Sequence, residues 1–180
     1  MCGIIGYVGT RPAGPILLEG LRRLEYRGYD SAGVALISAE GLSTRKRKGR
    51  IQDGLANLLV ESPIRGACGI GHTRWATHGP PSDENSHPHL DAAGRVAVVH
   101  NGVIENFDRL KERFIAAGHH FLSATDTEVL AHLIGDHLKR LTSVPDGVHP
   151  LAQAVCNALR EVIGTYGLAV VAPEFPGVIV

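Results

Sequence analysis

The distribution of apolar residues is the feature that most constrains how this chain can fold. Short apolar runs typical of strands are joined by short or long connections. Paired helical patterns follow, and then further strand-like runs. Strands and helices therefore do not alternate regularly, as they would in a doubly wound parallel sheet. The pattern predicts an α+β fold with antiparallel sheets.

Strands are expected where apolar residues are continuous or bounded by glycine. These segments are 2–8, 34–37, 69–75, 96–101, 168–172 and 178–180. Residues 26–33, which read YRGYDSAG, are interpreted as a loop. The polar segment 79–94 is rich in Pro, Ser, Asn and His and is expected to be a long loop, a kind that is usually functional or mobile.

Four segments show the apolar spacing of helices. The first opens at Pro12 with a stripe of leucines at 17, 21 and 24, and another covers 104–114 and ends at Gly118. Thr125 and Glu128 match a capping box, T-x-x-E, at the start of a third helix. Its expected inner face is Leu130, Leu133, Ile134, His137 and Leu141. The last helix begins at Pro150.

Composition narrows the classes of function. Eighteen basic residues balance eighteen acidic ones, which argues against a protein devoted to nucleic acid or to an anionic membrane. No apolar run approaches the roughly 20 residues of a membrane helix. The basic run 45–50 is interpreted as a charged strand edge rather than a nucleic-acid patch. Three widely spaced cysteines, with no secretory signal, favour the cytoplasm.

The second residue carries the most distinctive chemistry. Cys2 precedes Gly3, and a small second residue permits removal of Met1, which would leave Cys2 with a free α-amine. A thiolate is a strong nucleophile, and an α-amine has a pKa of about 7.7–8.0, so the two together can supply nucleophile and base on one residue. The alternative is a buried structural cysteine, and Cys2 by itself does not decide between the two.

Other residues supply what an amide-cleaving thiol needs. Asn101 and Gly102 end a predicted strand, where a side-chain amide and a backbone N–H could meet one oxyanion. Arg74 could hold a carboxylate with help from Thr77 and His78, and Asp126 could pair with an ammonium group. Each also has an ordinary structural explanation: an N-G turn, a surface ion pair, or a helix-end charge.

Taken together, the motifs resemble the class II glutamine amidotransferases. They occur in the family order over the whole chain: MCGIIGYVG, LRRLEYRGYDSAG, GHTRWATHG, NSHPH, VVHNGVIEN and TDTEV. The resemblance is greatest to the branch of the family that delivers ammonia to sugar phosphates. It implies an N-terminal-nucleophile hydrolase fold, an αββα sandwich of two antiparallel sheets between helical layers.

The resemblance also assigns roles to residues. It implies that Cys2 attacks the side-chain amide of L-glutamine, and that Asn101 and Gly102 form the oxyanion hole. The substrate carboxylate would be held by Arg74, Thr77 and His78, and the substrate amino group by Asp126 and Gly102. Trp75 would help gate the path of ammonia. No cofactor or metal is implied. Ammonia would pass to fructose 6-phosphate on a separate isomerase half, and dimerisation would mostly involve that half.

Residues 1–180 are thus expected to form one glutaminase domain. Because the chain ends on the apolar run Val178–Val180, we expect the domain to be truncated at its C-terminal end. Three alternatives remain open. The acceptor could be that of an amidophosphoribosyltransferase, an asparagine synthetase or a glutamate synthase. The histidines, including His87 and His89, could bind zinc, although no H-E-x-x-H or paired C-x-x-C spacing is present. The domain could also bind ammonia or an amino acid without catalysis.

Overall fold

The computed structural model describes residues 2–180, which fold into two antiparallel sheets with helices outside them. The strands are β1 (Gly3–Val8), β2 (Ser31–Ser38), β3 (Gly41–Lys48), β4 (Cys68–Arg74), β5 (His89–Leu90), β6 (Ala97–Ile104) and β7 (Gly164–Val171). The helices are α1 (Ala13–Leu24), α2 (Asn57–Glu61), α3 (Phe107–Ala116), α4 (Thr127–Arg140) and α5 (Pro150–Leu159). A 3₁₀ turn spans Glu25–Arg27, and a π-helical turn, Gln52–Ala56, leads into α2.

The first sheet has the strand order β1-β4-β2-β3, and the second has the order β5-β6-β7. In the first sheet Gly3 pairs with Thr73 and Ser31 pairs with Arg74, so the start of β1 lies beside the end of β4. In the second sheet Asn101 pairs with Gly167. Val180 also exchanges both backbone hydrogen bonds with Val170, at 2.8 and 3.1 Å, and so extends that sheet beyond β7.

The period-two alternation of the strands sorts their side chains into three apolar layers. Val34 and Leu36 face α1, whereas Ala35 and Ile37 face the second sheet. The layer between the sheets also contains Cys68, Ile70, Ala97, Val99, Ala169 and Val171. A third layer packs the outer face of the second sheet against α3, α4 and α5. The arrangement is helix, sheet, sheet, helix, as the resemblance implied.

Several expectations about local structure were wrong. The expected loop 26–33 already enters β2 at Ser31, and the segment 79–94 contains the short strand β5. Residues 178–180 form no regular strand, although Val180 bonds to β7. Strand β3 was not expected as a whole element, because six of its eight residues are polar or charged. Its position at the sheet edge agrees with the interpretation of the basic run as a charged strand edge.

The capping box is also wrong. Asp126, not Thr125, is the N-cap of α4, and no side chain caps the helix there. The carboxylate of Glu128 instead accepts hydrogen bonds from the backbone N–H of Leu122 at 2.8 Å and of Ser123 at 2.7 Å. It also accepts one from the Ser123 hydroxyl at 2.6 Å. Glu128 therefore fixes the segment that leads into α4 rather than the first turn itself. None of the helices between residues 2 and 180 is long and apolar enough to cross a bilayer.

Candidate active site

Cys2 lies immediately before β1, next to the end of β4. The backbone N–H of Gly3 donates to the Oγ1 of Thr73 at 3.1 Å, which fixes the chain just after Cys2. The Cys2 Sγ accepts a hydrogen bond from the backbone N–H of Trp75 at 3.2 Å and lies 3.6 Å from the Trp75 carbonyl oxygen. The thiol is partly exposed and is therefore accessible from solvent. The sulfur is thus held in place by the residue that follows β4, 73 positions further along the chain.

Asn101, which belongs to the second sheet, also contacts Cys2. Its Nδ2 donates to the backbone carbonyl oxygen of Cys2 at 3.1 Å, and its Oδ1 lies 2.9 Å from the Nε2 of His72. Gly102 follows with φ near +142°, a conformation that L side chains rarely adopt. A Cβ there would lie 1.9 Å from the Thr165 carbonyl oxygen. Only glycine fits this position, which explains the N-G pair at the site.

Arg74 is a buried cation, with 3% of its surface exposed. Its Nη2 donates to the carbonyl oxygen of His78 and, at 3.2 Å, to that of Gly79. The Nη1 atom has no hydrogen-bond partner among residues 2–180 and is buried. Burial lowers the pKa of the guanidinium, and the nearby Asp30 and Asp126 raise it in part. A buried guanidinium with an unpaired donor can accept a carboxylate.

The loop before β2 supports the end of β4. The Asp30 carboxylate accepts from the backbone N–H of Ala76 at 2.8 Å, and the Asp30 N–H donates to the Arg74 carbonyl oxygen at 3.0 Å. Gly28 lies so close that a Cβ would be 2.6 Å from the Arg74 carbonyl carbon. The YRGYD segment therefore sets the position of Arg74 and Trp75 beside Cys2.

Asp126 forms another wall of the site. It is 5% exposed, and its Oδ2 accepts a hydrogen bond from the backbone N–H of Ile104 at 2.8 Å. That bond ties the start of α4 to the end of β6, which also carries Asn101 and Gly102. A buried carboxylate at this position can pair with an ammonium group.

Two adjoining cavities meet at Cys2. The inner one, of about 30 Å³, is lined by Cys2, Arg74, Trp75, Thr77, His78, His87, His100, Asn101, Gly102, Thr125, Asp126 and Thr127. All eight residues that the sequence singled out for catalysis and substrate binding are therefore among its walls. The outer cavity, of about 220 Å³, shares Cys2, Trp75, Thr77, Asn101 and Gly102 and adds Arg27. A volume of 30 Å³ has room for about two water molecules.

Sequence reasoning missed several residues of this site. The Nε of Arg27 donates to the Cys2 carbonyl oxygen at 3.3 Å, the same atom that receives the Asn101 bond. His72 contacts Asn101, and it follows Ile70 by two positions in β4, so strand alternation alone would have placed it between the sheets. For Arg27 the sequence carried no such signal, because it lies in an irregular turn.

Four histidines lie buried together at the inner cavity, at positions 72, 87, 89 and 100, and two of them, His87 and His100, line it. Their ring nitrogens contact Asn101, Thr125 and Thr127 at 2.9–3.0 Å. Burial lowers the pKa of His72 to about 4 and lowers the pKa values of the other three, so the rings are neutral at pH 7. Among the described residues no three His, Cys, Asp or Glu side chains are placed to hold a metal ion.

Comparison with known proteins assigns the family. Residues 59–155 match the family described as "Glutamine amidotransferase domain". The chain belongs to this family. It is 52% identical over 170 residues to the glutamine--fructose-6-phosphate aminotransferase (isomerizing) of Thermus thermophilus, in a match that covers 94% of this chain and 26% of the relative. The protein of the same name from Clostridium tetani is 51% identical over the whole chain and 28% of its own length.

The chain thus spans about a quarter of the length of these curated relatives. Among solved structures, this glutamine amidotransferase domain resembles the glutamine phosphoribosylpyrophosphate amidotransferase of B. subtilis, with a TM-score of 0.76 and 30% identity over 96% of the chain and 35% of that structure. The fold is therefore the αββα sandwich of the N-terminal-nucleophile amidotransferases.

Proposed function

We propose that this domain hydrolyses the side-chain amide of L-glutamine, with Cys2 as the nucleophile after removal of Met1. The observation that supports it best is the inner cavity, where the Cys2 thiol, the Arg74 guanidinium and the Asp126 carboxylate line one space. These groups match the three parts of glutamine: amide, carboxylate and ammonium. Met1 lies outside the described residues, so its removal remains part of the proposal.

The reaction needs only groups of this chain, glutamine and water. The α-amine of Cys2 takes the thiol proton while Sγ forms a bond to the amide carbon, and Asn101 Nδ2 with the Gly102 N–H stabilise the oxyanion. The C–N bond then breaks, and the proton on the α-amine passes to the leaving ammonia. A thioester of Cys2 remains. Water attacks the thioester carbon and gives a proton to the α-amine, the C–S bond breaks, the proton passes to Sγ, and glutamate leaves.

Different residues of the inner cavity hold the two charged ends of the substrate. Arg74, with Thr77 and His78, binds the α-carboxylate, and Asp126 with Gly102 binds the α-ammonium. The inner cavity is too small for an amino-acid head group as it stands. Binding therefore requires the loop after β4 to move, and the unpaired Nη1 of Arg74 then donates to the substrate carboxylate while Nη2 keeps its contact with the 78–79 backbone.

We further propose fructose 6-phosphate as the final acceptor of the ammonia. The basis is that relatives at about half identity are glutamine--fructose-6-phosphate aminotransferases. The acceptor would bind to a separate isomerase half, and Trp75, which is 45% exposed at the mouth of the outer cavity, would lie on the ammonia path. A cytoplasmic location suits the free cysteines. A homodimer of the full-length enzyme would form mainly through the isomerase half.

Intact-mass spectrometry combined with a glutaminase assay tests the proposal. We expect the purified protein to lack Met1, to release glutamate and ammonia from glutamine, and to gain one adduct from a glutamine-like electrophile. Cys2→Ala should lose turnover and labelling but keep glutamine binding. Cys156→Ala, which removes an exposed thiol elsewhere, should change neither turnover nor labelling at Cys2. Full turnover by a protein that retains Met1, or by Cys2→Ala, would refute the mechanism.

A further inference from the structure

The contact between His72 and Asn101 joins the two sheets directly beneath Cys2. His72 lies on the face of β4 that points to the second sheet, and it is fully buried. Asn101 lies on the facing side of β6, in alternation with Ala97 and Val99. The His72 Nε2 is 2.9 Å from Asn101 Oδ1, while Asn101 Nδ2 points to the Cys2 carbonyl oxygen.

An asparagine amide can occupy two orientations of nearly the same shape. One turns the Nδ2 donors toward Cys2, and the other turns the Oδ1 acceptor there. Only the first can serve an oxyanion, and it is favoured when the partner of Oδ1 is a donor. An imidazole that carries its proton on Nε2 is such a donor, whereas the other neutral tautomer would favour the flipped amide.

The surroundings of His72 hold its ring in place. The His87 ring stacks against it, with ring centroids 4.2 Å apart and planes inclined by 31°. His87 is fixed in turn by a hydrogen bond of 2.9 Å to the Thr127 hydroxyl and by an edge contact with His89, with ring centroids 4.7 Å apart. A ring packed in this way cannot rotate freely away from Asn101.

We infer that His72 is a positioning residue, whose Nε2–H sets the side-chain amide of Asn101 so that its donors face the reacting carbonyl. His72 does not touch glutamine. The inference rests on the proposed function, because it assumes that Asn101 stabilises an oxyanion. Loss of the His72 donor therefore lowers the rate of amide cleavage without weakening glutamine binding or the reactivity of the thiol.

The test compares two reactions of Cys2 in the same variants. Glutamine hydrolysis builds an oxyanion, whereas alkylation by iodoacetamide forms a C–S bond at a saturated carbon, releases iodide and builds none. For His72→Leu we expect kcat to fall by about 10²–10³-fold, the loss typical of one oxyanion donor. The KM and the alkylation rate of Cys2 should each stay within about threefold of the parent, well short of such a loss. All variants are made in a Cys156→Ala parent protein, so that the alkylation signal comes from Cys2.

Two further variants make the result decisive. His72→Gln can still donate from an amide N–H, so its kcat should stay within about tenfold of the parent value, above that of His72→Leu. His72→Met serves as the apolar variant if His72→Leu does not fold. An apolar variant with near-normal kcat, or one whose kcat and alkylation rate fall together, overturns the inference.

Asn101→Asp separates this inference from the proposed function. Its carboxylate cannot donate, so hydrolysis should fall at least as far as in His72→Leu. If Asn101→Asp hydrolyses glutamine normally, the proposed oxyanion role fails and the inference fails with it. If Asn101→Asp is impaired and the apolar His72 variants are not, only the positioning role of His72 is wrong.

Discussion

The Nδ2 of Asn101 donates to the backbone carbonyl oxygen of Cys2 at 3.1 Å, although 99 positions separate the two residues. The contact links the first residue of the site, beside one sheet, to the middle of a strand in the other sheet. Stability of the fold and geometry of the site therefore depend on some of the same atoms, and the following changes affect one or both.

Gly102→Ala should destabilise the protein and abolish activity. The new methyl group would meet the Thr165 carbonyl oxygen, and φ near +142° is unfavourable for alanine. We expect the free energy of unfolding to fall by about 2 kcal/mol or more in urea denaturation. Gly167→Ala is a matched control opposite Asn101, since its Cβ would meet nothing closer than 4.0 Å. Equal effects of the two substitutions would contradict this explanation.

Arg74→Lys should weaken glutamine binding rather than the chemistry. A lysine keeps the charge but cannot hold a carboxylate through two parallel N–H groups while it also reaches the 78–79 backbone. We expect the KM and the dissociation constant to rise about 10–100-fold, as for the loss of one charge-assisted hydrogen bond. Calorimetry with glutamine on the Cys2→Ala background measures binding alone. The exposed Arg113→Lys serves as control, and unchanged binding by Arg74→Lys would remove Arg74 from the site.

Acidification should unfold the protein through its buried histidines. The folded-state pKa of His72 is about 4, below the usual 6.5, because burial disfavours the imidazolium. As the pH falls below 6.5 the unfolded chain binds a proton that the folded one does not, so the free energy of unfolding decreases until about pH 4. The decrease attributable to His72 is about 3 kcal/mol at most.

Urea denaturation between pH 7.5 and pH 4 measures this dependence. His72→Gln removes one proton from those that the protein takes up on unfolding. The slope of the free energy of unfolding against pH should therefore decrease by roughly 1.4 kcal/mol per pH unit at the steepest. His120→Gln, an exposed position, should leave the profile unchanged. A wild-type profile that is flat from pH 7.5 to pH 4 would show that these rings do not remain neutral in the folded protein.

Glu128→Gln should destabilise the entry into α4. Burial alone would raise the pKa of this carboxyl, but His132 nearby and hydrogen bonds from Leu122 and Ser123 lower it to about 2. The carboxylate therefore adds stability that is fully present above about pH 4.5 and is lost only as the pH falls towards 2. We expect a loss of about 2–3 kcal/mol that is the same at pH 7 and pH 5.5.

Glu112→Gln on the exposed face of α3 is the control, and its effect should stay within about 0.5 kcal/mol. If Glu128→Gln destabilised the protein as little as Glu112→Gln, the three hydrogen bonds to the Glu128 carboxylate would contribute nothing to the stability of the fold.

The sequence predicted those parts of the structure that local patterns determine. Apolar runs located β1, β4 and β6, and leucine spacing located α1, because strand and helix periods are readable over a few residues. Strand β3 was missed because an edge strand needs little apolar surface, and Arg45–Lys48 hides its period. The capping box failed because Glu128 found stronger partners upstream of Thr125.

For the candidate site, too, local patterns predicted some features and missed others. The sequence motifs named the residues that line the inner cavity, but not the contact between His72 and Asn101. Alternation in β4 and β6 shows that both side chains point into the space between the sheets. Which of them meet depends on how the two sheets are placed on each other, and no local pattern encodes that placement.

The contacts that surround Cys2 come from parts of the chain that are synthesised much later than Cys2 itself. Thr73 and Trp75 hold its neighbourhood from one sheet, and Asn101 reaches it only when the other sheet has formed. The chain must therefore emerge well beyond β6 before the thiol sits in its final setting. Before that point Cys2 lacks the contacts with Trp75 and Asn101 that the folded domain gives it, so the amide cleavage proposed above can begin only after the second sheet has docked.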